Sequence, residues 1–497
     1  MPGVPRLQGS RFEVRGSRFN PVCPSSLPHF ASALCAAAIL LSTAFTCALA
    51  ASAAGSAPEL RPVVQAEEDI YTYQNANNGA GPLWCHGSPC LVRIGEDVFA
   101  SGLETLTNSK PLNNCRWTLY GHGQTGWQIQ QLDATGRTRE PSPMVGFPDG
   151  RLFISANPTL TAEGTYGGPA RPEILQFAAR DSKAPYEHLL PIWDGNPAFT
   201  EHSYRSFAAD GPGREFILFQ NIGYTHAEWT FRDRTGQWAA HGQLRWPDAA
   251  EYPKPEPVRV CYPNVLLKNR AVHLCGVSDI VEPYPEWRAY KKQLTGNEWD
   301  YDFRRLFYTW TPDLTREKFR PWIEVASRDK TCGWISPGDL WLAPDGAAHL
   351  LWTERALDER LRAKFFPEAK QSHAVNYAVV RDGKIVLRRT LLLAEEGKPG
   401  EIGSSPRFQV TPDNRLFVIC YASGTGGGGK PVSENRLVEI HPGGEVGTPV
   451  TVPFKKAFTA YFTATVRGGS PPSPTLELLG QREGGHLTIS YARVRLW

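Results

Sequence analysis

Short polar turns, each followed by an alternating apolar run, recur along most of the chain. They are Gly95-Glu96-Asp97 before Val98-Phe99-Ala100, Pro148-Asp149-Gly150 before Leu152-Phe153-Ile154, and Asp210-Gly211 before Phe216-Ile217-Leu218-Phe219. The series continues with Lys268-Asn269 before Val272-His273-Leu274, Pro344-Asp345-Gly346 before His349-Leu350-Leu351-Trp352, Pro412-Asp413-Asn414 before Leu416-Phe417-Val418-Ile419, and Gly484-Gly485 before Leu487-Thr488-Ile489. Turn residues with the right backbone freedom, set ahead of apolar runs of strand length, predict hairpins. Their mean spacing of about 65 residues suits a four-stranded blade with generous loops.

Between successive turns lies a second, more amphipathic hairpin. Examples are Glu228-Trp229-Thr230-Phe231 with Gln237-Trp238, Trp117-Thr118-Leu119-Tyr120 with Trp127-Gln128-Ile129, Leu306 to Trp310 with Trp322 to Val325, and Tyr377 to Val380 with Ile385 to Leu387. These predict outer strands with one face toward solvent. The expected fold is therefore all-β: a seven-bladed β-propeller occupying residues 60–497. Because a closed ring leaves no exposed sheet edge, the N-terminal Ile70-Tyr71-Thr72-Tyr73 and the C-terminal Tyr491 to Trp497 are expected to share and close one blade. A pair of β-sandwiches is the alternative, which the regular recurrence of turns disfavours. The irregular stretch from Asp279 to Arg304 leaves six or eight blades open, and its Trp287 to Lys292 segment predicts a short helix on a face loop.

Composition agrees with strands and turns, with 15 Trp, 17 Tyr and 23 Phe beside 46 Gly and 42 Pro. The 53 basic and 50 acidic side chains are dispersed and leave a formal charge of +3, so nucleic acid is not an expected partner. Residues 1–55 read as a leader and signal peptide. Arg6, Arg11, Arg15 and Arg18 precede an apolar run ending in Ala48-Leu49-Ala50-Ala51-Ser52-Ala53, which matches a cleavage site. The expectation is a secreted or periplasmic monomer with no membrane span in the mature chain; an uncleaved anchor is the alternative.

Cys23, Cys35 and Cys47 would leave with the leader, and Cys85, Cys90, Cys115, Cys261, Cys275, Cys332 and Cys420 would remain. Export favours a disulfide among Cys85, Cys90 and Cys115, and Cys261 with Cys275 is a hairpin-spaced candidate. Cys85, His86 and Cys90 also offer a weak structural-zinc pattern. No cofactor or catalytic metal is expected.

In a propeller, the connection into each innermost strand and the connection leaving its hairpin partner open on the same face. This selects His202, Tyr204 and Arg205 on one loop, Asn221, Tyr224 and His226 on the next, and Arg259 and Tyr262 on a third. Trp84 and Trp334 lead into other inner strands and offer ring faces for sugars. Removing the proton beside a uronate carboxylate needs a cation to hold the carboxylate, with a base and an acid close by, and His, Tyr and Arg supply these groups. His273 and His349 fall within inner strands and are expected to be packed or to line the channel.

Glu201-His202-Ser203-Tyr204-Arg205 and Tyr224-Thr225-His226 resemble the BNR-repeat-like propeller superfamily. Within it, they are similar to propeller-type polysaccharide lyases that cleave ulvan and related uronate-containing glycans. The resemblance implies a glycan substrate and a catalytic set of His202, His226, Tyr262 and Arg259, with Tyr204 or Tyr224 as alternative proton carriers. Tyr204, Arg205, Tyr224, Asn221, Trp84 and Trp334 are the expected substrate contacts. Sialidase Ser-x-Asp-x-Gly-x-x-Trp boxes are absent, and Asp233 to Trp238 only approximates one. A glycoside hydrolase would need a carboxylate pair, for which Glu201, Asp279, Glu282 and Glu354 are candidates. A non-catalytic glycan- or protein-binding propeller is the third reading.

Overall fold

A run that is apolar at successive positions makes a stable strand only where both of its faces are covered. The strand Glu215–Ile222 is buried from Glu215 to Asn221, and Arg151–Ala156 from Leu152 to Ala156. Amphipathic runs sit further out: Trp238–Arg245 and Lys384–Glu395 mix half-buried and exposed positions, with Leu244 alone buried. This gradient sets the order of strands within each blade. The computed structural model describes residues 60–85, 87–297 and 300–497. The leader with Cys23, Cys35 and Cys47, together with His86, lies outside the described residues.

The described residues form seven four-stranded antiparallel sheets. From the axis outward, the first blade is Leu91–Ile94, Asp97–Thr105, Cys115–Gly123 and Gly126–Leu132, and the second is Met144–Gly146, Arg151–Ala156, Glu173–Ala178 and Glu187–Leu189. The third is Ser206–Asp210, Glu215–Ile222, His226–Arg232 and Trp238–Arg245, and the fourth is Val260–Lys268, Ala271–Ser278, Arg305–Thr311 and Ile323–Ser327. The fifth is Trp334–Leu342, Ala348–Arg355, Ser372–Arg381 and Lys384–Glu395, and the sixth is Glu401–Val410, Leu416–Thr425, Pro431–Ile440 and Val450–Val452. The seventh joins Phe458–Thr463, Thr475–Arg482 and Thr488–Leu496 to the N-terminal Pro62–Thr72, whose register runs from Pro62 opposite Leu496 to Thr72 opposite Thr488. The two termini therefore close the ring as expected.

Each neighbouring pair of blades shares one apolar cluster. Blades one and two meet through Trp117 and Leu152, two and three through Phe153 and Phe216, and three and four through Phe231 and Leu274. The series runs on through Tyr308 with Trp352, Tyr377 with Phe408, and Leu437 with Leu478, and returns to the first blade where Tyr491 packs with Val98. Dispersion and burial thus run around the circle without a break.

Six of the polar turns join the two innermost strands of a blade, but Gly484-Gly485 joins the second and third strands of the seventh. That blade's inner connection is instead the long loop 464–474. Arg467 at its tip is 3% exposed. Its guanidinium meets Asp339 Oδ1 at 2.7 Å, Asn264 Oδ1 at 3.0 Å and the carbonyls of Gly87 and Val265 at 3.1 and 3.3 Å. The loop backbone is bound too, since Ala209 N–H donates to Arg467 O (2.8 Å) and Gly146 N–H to Gly468 O (2.9 Å). Gly469, at φ 86°, lies so close to Gly146 that a Cβ would come within 2.0 Å of its carbonyl oxygen. The loop ties the innermost strands of blades two to five together across the axis.

The irregular stretch in blade four forms no eighth blade among its described residues. It forms a two-stranded ribbon, Ile280–Val281 with Tyr301–Asp302, and helix α1, Pro285–Thr295. Pro285 suits the first turn of α1, and left-handed Gly296 ends it by donating to Lys292 O (2.8 Å). Lys291 is fully buried and ion-paired with Glu282 (2.7 Å) and Asp302 (3.0 Å), while Arg304 meets Glu282 (3.0 Å) and Asp329 (2.6 Å). This network clamps the insertion to the disc.

The disulfide expectations fail. All seven cysteines among the described residues are free and buried. Cys261 stands opposite Val277 and Cys275 opposite Asn264, so the hairpin register keeps them from facing each other. Cys85 directs its thiol to Arg205 O (3.2 Å), and burial pushes that thiol up to about 12.

Candidate functional site

Side chains from the first, third, fourth and fifth blades meet on the face where the innermost strands begin. His202 and Tyr204 stand on the connection into blade three. Tyr204 takes a left-handed φ of 39°, which turns its ring toward Trp84, the residue leading toward blade one. The two rings stack at 4.9 Å and 15°, and His202 lies edge-on to Tyr204 at 4.5 Å. In blade four the innermost strand carries a register shift between Cys261 and Asn264, where Tyr262 adopts φ 46°. Pro263 has no N–H to give to a ladder, so a bulge is a natural place for it. The bulge aims Tyr262 at Tyr204, with centroids 5.1 Å apart, and at Phe303, 5.7 Å away. Phe303 in turn packs on Trp334 at 4.7 Å. Trp84, Tyr204, Tyr262, Phe303 and Trp334 form one continuous aromatic wall.

Charges are set into this wall. His202 Nδ1 lies 2.9 Å from Arg139 Nη1 and 3.0 Å from Glu140 Oε1. Glu140 is 2% exposed and also accepts from Ser203 N–H (3.1 Å) and Ser203 Oγ–H (2.7 Å). Burial opposes its ionisation, but the His202 and Ser203 hydrogen bonds and the nearby Arg205 charge win, holding the carboxyl below its ordinary value. Both phenols are driven far above the usual tyrosine value, chiefly by burial and then by the Cys261 thiol and Asp279. Tyr204 and Tyr262 are therefore neutral hydroxyl donors at physiological pH.

Arg259 is only 5% exposed, bonds Asp279 at 2.5 Å and lies 4.0 Å under the ring of Tyr224. Tyr224 shares a 2.8 Å hydroxyl contact with Tyr301. Arg259 thus braces Tyr204 and Tyr224 from behind, its charge matched by Asp279. Arg205 is 1% exposed and donates to the carbonyls of Ser155 (3.1 Å) and Pro141 (2.8 Å), which places it in the scaffold beneath the mouth. Asn221 is 6% exposed, and its backbone N–H donates to Ser203 O at 3.0 Å. His226 turns to Thr225 (2.7 Å) and Glu228 (3.2 Å), and none of its described contacts joins the aromatic wall. His273 and His349 are packed within the blades, hydrogen-bonded to Tyr308 (2.6 Å) and Tyr377 (2.7 Å), with burial lowering both to about 4.

Beyond Trp334 the wall opens into a cavity of about 510 Å³ between blades five, six and seven, lined by Trp334, Glu354, Arg355, His373, Ser404 and Tyr461 among others. The carboxylates named for a glycosidase are each hydrogen-bonded within the fold. Glu201 accepts from Gly168 N–H (2.9 Å), Asp279 holds Arg259, Glu282 belongs to the buried network, and Glu354 is bonded to Arg328 and to Trp352 Nε1–H (3.2 Å). Glu282, Asp302 and Cys332 form a compact ligand-like group, but Lys291 and Arg304 already occupy its oxygens, and a cation there would meet two positive charges.

Sequence reasoning passed over Arg139, Tyr301, Phe303 and His373. Arg139 directly precedes the Glu140 to Pro143 stretch leading into blade two. The other three sit at the ends of loops whose return to the mouth depends on the insertion or on strand length.

The class these sheets define is the seven-bladed β-propeller, with an aromatic, charge-lined mouth on one face. No family model and no curated protein matches the chain. Among solved structures it is similar to the polysaccharide lyase Uly1, at 12% identity and TM-score 0.47, covering 87% of this chain and 93% of that one. It is also similar to the Fusarium graminearum GH93 α-L-arabinofuranosidase complexed with arabinobiose (12%, TM-score 0.36, covering 71% and 91%) and to an ACO/RPE65 chimera (10%, TM-score 0.40, covering 88% and 94%). At such scores none of them bears on the chemistry of this chain.

Proposed function

We propose that the chain is an exported polysaccharide lyase that cleaves a uronate-containing glycan by metal-independent β-elimination. The observation that carries this reading is His202, held at one nitrogen between a permanent donor, Arg139, and a buried carboxylate, Glu140, and flanked by two neutral phenols. Nδ1 cannot accept from Arg139 and donate to Glu140 at the same time. A substrate carboxylate that draws Arg139 away leaves Nδ1–H on Glu140 and Nε2 as the free base.

His202 Nε2 then takes the proton from the carbon beside the uronate carboxylate, and Arg139 steadies the charge that develops on that carboxylate. The electron pair left on that carbon forms the new carbon–carbon double bond as the neighbouring carbon–oxygen bond breaks. The leaving oxygen receives its proton from the Tyr262 hydroxyl, with Tyr204 beside it, and water later restores both groups. Trp84 supplies a sugar-stacking face. Arg259, paired with Asp279, braces Tyr204 from behind, and His226 lies outside this set.

The test is incubation with ulvan and other uronate polymers, followed by ultraviolet absorbance of the unsaturated uronate. Rising absorbance that depends on His202 is expected. New reducing ends without absorbance would mean hydrolysis, and neither signal with any uronate polymer would overturn the reading.

A further inference from the structure

Trp334, Arg355 and His373 are successive register partners across three adjacent strands of blade five: Trp334 faces Arg355, and Arg355 faces His373. Register partners point to the same side of a sheet, and all three line the 510 Å³ cavity. Trp334 is 38% exposed, which is costly for so large an apolar ring unless something covers it. Among the described residues Arg355 has no ion-pair partner, and its Nε is buried without a hydrogen bond. The neighbouring Glu354 is taken by Arg328 and Trp352. A half-buried guanidinium with no counter-charge, beside a bare indole and an imidazole, lacks an anion carried on a ring-sized body.

We infer that Trp334, Arg355 and His373 form a subsite for an anionic sugar, the ring stacking on Trp334 and its carboxylate or sulfate bound by Arg355 with His373 alongside. For its ligand class the subsite rests on the proposed glycan substrate. It does not depend on the elimination step. Phe303 links Trp334 to Tyr262, so a chain bound here continues along the aromatic wall toward His202. The protein therefore reads at least one charged sugar removed from the bond it acts on, and favours polymers over short fragments.

The test is calorimetric titration of the full protein with three tetrasaccharides: a galacturonate oligomer, a carrageenan oligomer with sulfate but no carboxylate, and a neutral cello-oligomer. Arg355→Gln is expected to weaken binding of the charged ligand roughly tenfold or more, the size of a lost charge-assisted pair. It should leave the neutral ligand unchanged and flatten the salt dependence. Trp334→Ala is expected to weaken both kinds. The charged arm that loses affinity identifies carboxylate or sulfate as the bound group. Unchanged affinity of Arg355→Gln for both charged ligands, or no binding of either by the wild-type protein, overturns the subsite. Arg355-dependent binding with no unsaturated product would keep the subsite and end the lyase reading, whereas His202-dependent elimination with no effect of Arg355 would do the reverse.

Discussion

The mouth of blades three and four and the mouth of blades five and six are built from the same parts, an incoming innermost strand and an outgoing partner, yet their charges are treated in opposite ways. Around His202 the buried charges are largely answered: Arg259 has Asp279, Glu140 has His202 and Ser203, and Arg139 donates to His202 and to Asn78 O. Around Trp334 the cavity is open, and among the described residues Arg355 has no ion-pair partner and a buried Nε without a hydrogen bond. A closed network fixes geometry, as a reacting centre requires. An open one keeps affinity in reserve for a ligand. The two halves should therefore separate under mutation, the first through turnover and folding, the second through binding alone.

The sharpest break is His202→Ala. With the proposed base removed, turnover on a uronate polymer should fall by about 10²- to 10⁴-fold, the usual range for a general base. Circular dichroism should be unchanged, because the half-buried ring supports no blade core. Turnover within a few-fold of wild type would show that the closed network serves something other than proton transfer.

The next effect is on folding. Asp279→Ala strands the Arg259 guanidinium in a nearly buried site, a change that costs about 3–5 kcal/mol when one member of a buried pair is lost. Arg355→Gln removes a charge with no ion-pair partner among the described residues and should shift stability by less than about 0.5 kcal/mol. Urea unfolding of the two variants compares the halves directly, and equal losses would erase the distinction.

How far the sequence reveals this arrangement depends on the length scale of each signal. Hairpins are local, so the turns and alternating runs identify the blades and even their inner and outer strands. The seventh blade escapes because its inner loop is a Gly-Gly-Ser-Pro-Pro stretch shaped by Arg467 and its distant partners, while a later turn carries the local signal. A better repeat was present: Ser88-Pro89, Ser142-Pro143, Tyr262-Pro263, Ser336-Pro337 and Ser405-Pro406 all stand at innermost-strand mouths, where a residue without an N–H is tolerated. His202, Tyr204 and Tyr262 are legible because they lie on those mouths. Arg205 and Arg259 lie there too, but which way a side chain turns is decided by the neighbouring blades' carbonyls and carboxylates, and no local pattern encodes that. The cysteines misled through compartment: export suggests disulfides, whereas these thiols are held apart by register and burial.

A smaller effect concerns pH. Glu140 ionises below its ordinary 4.5 in the folded chain, so its hydrogen bonds stabilise the fold fully above that value and are lost as pH falls through the lowered folded value. Glu140→Gln should cost about 1–3 kcal/mol at neutral pH and make stability less steep on the acid side below about 4.5. Guanidinium melts at neutral and acidic pH measure both. A variant as acid-sensitive as wild type would mean that Glu140 is not the titrating contact.

His226→Ala should be the mildest change, and it probes the boundary of the closed network. Its nitrogens engage Thr225 and Glu228, and Glu228 keeps a second donor in Gln243 Nε2–H at 2.9 Å, so the carboxylate is not abandoned when the imidazole goes. Burial dominates at Glu228 and raises its carboxyl, which can take up a proton where the imidazole no longer offsets that burial. The expected result is a turnover rate within about threefold of wild type and a stability loss of about 1 kcal/mol, the size of one surface-near hydrogen bond. A loss of turnover as deep as that of His202→Ala would place both imidazoles in the proton path. The reacting sugar would then have to sit nearer Tyr224 than Trp84, and the centre would move outward toward the rim of blade three.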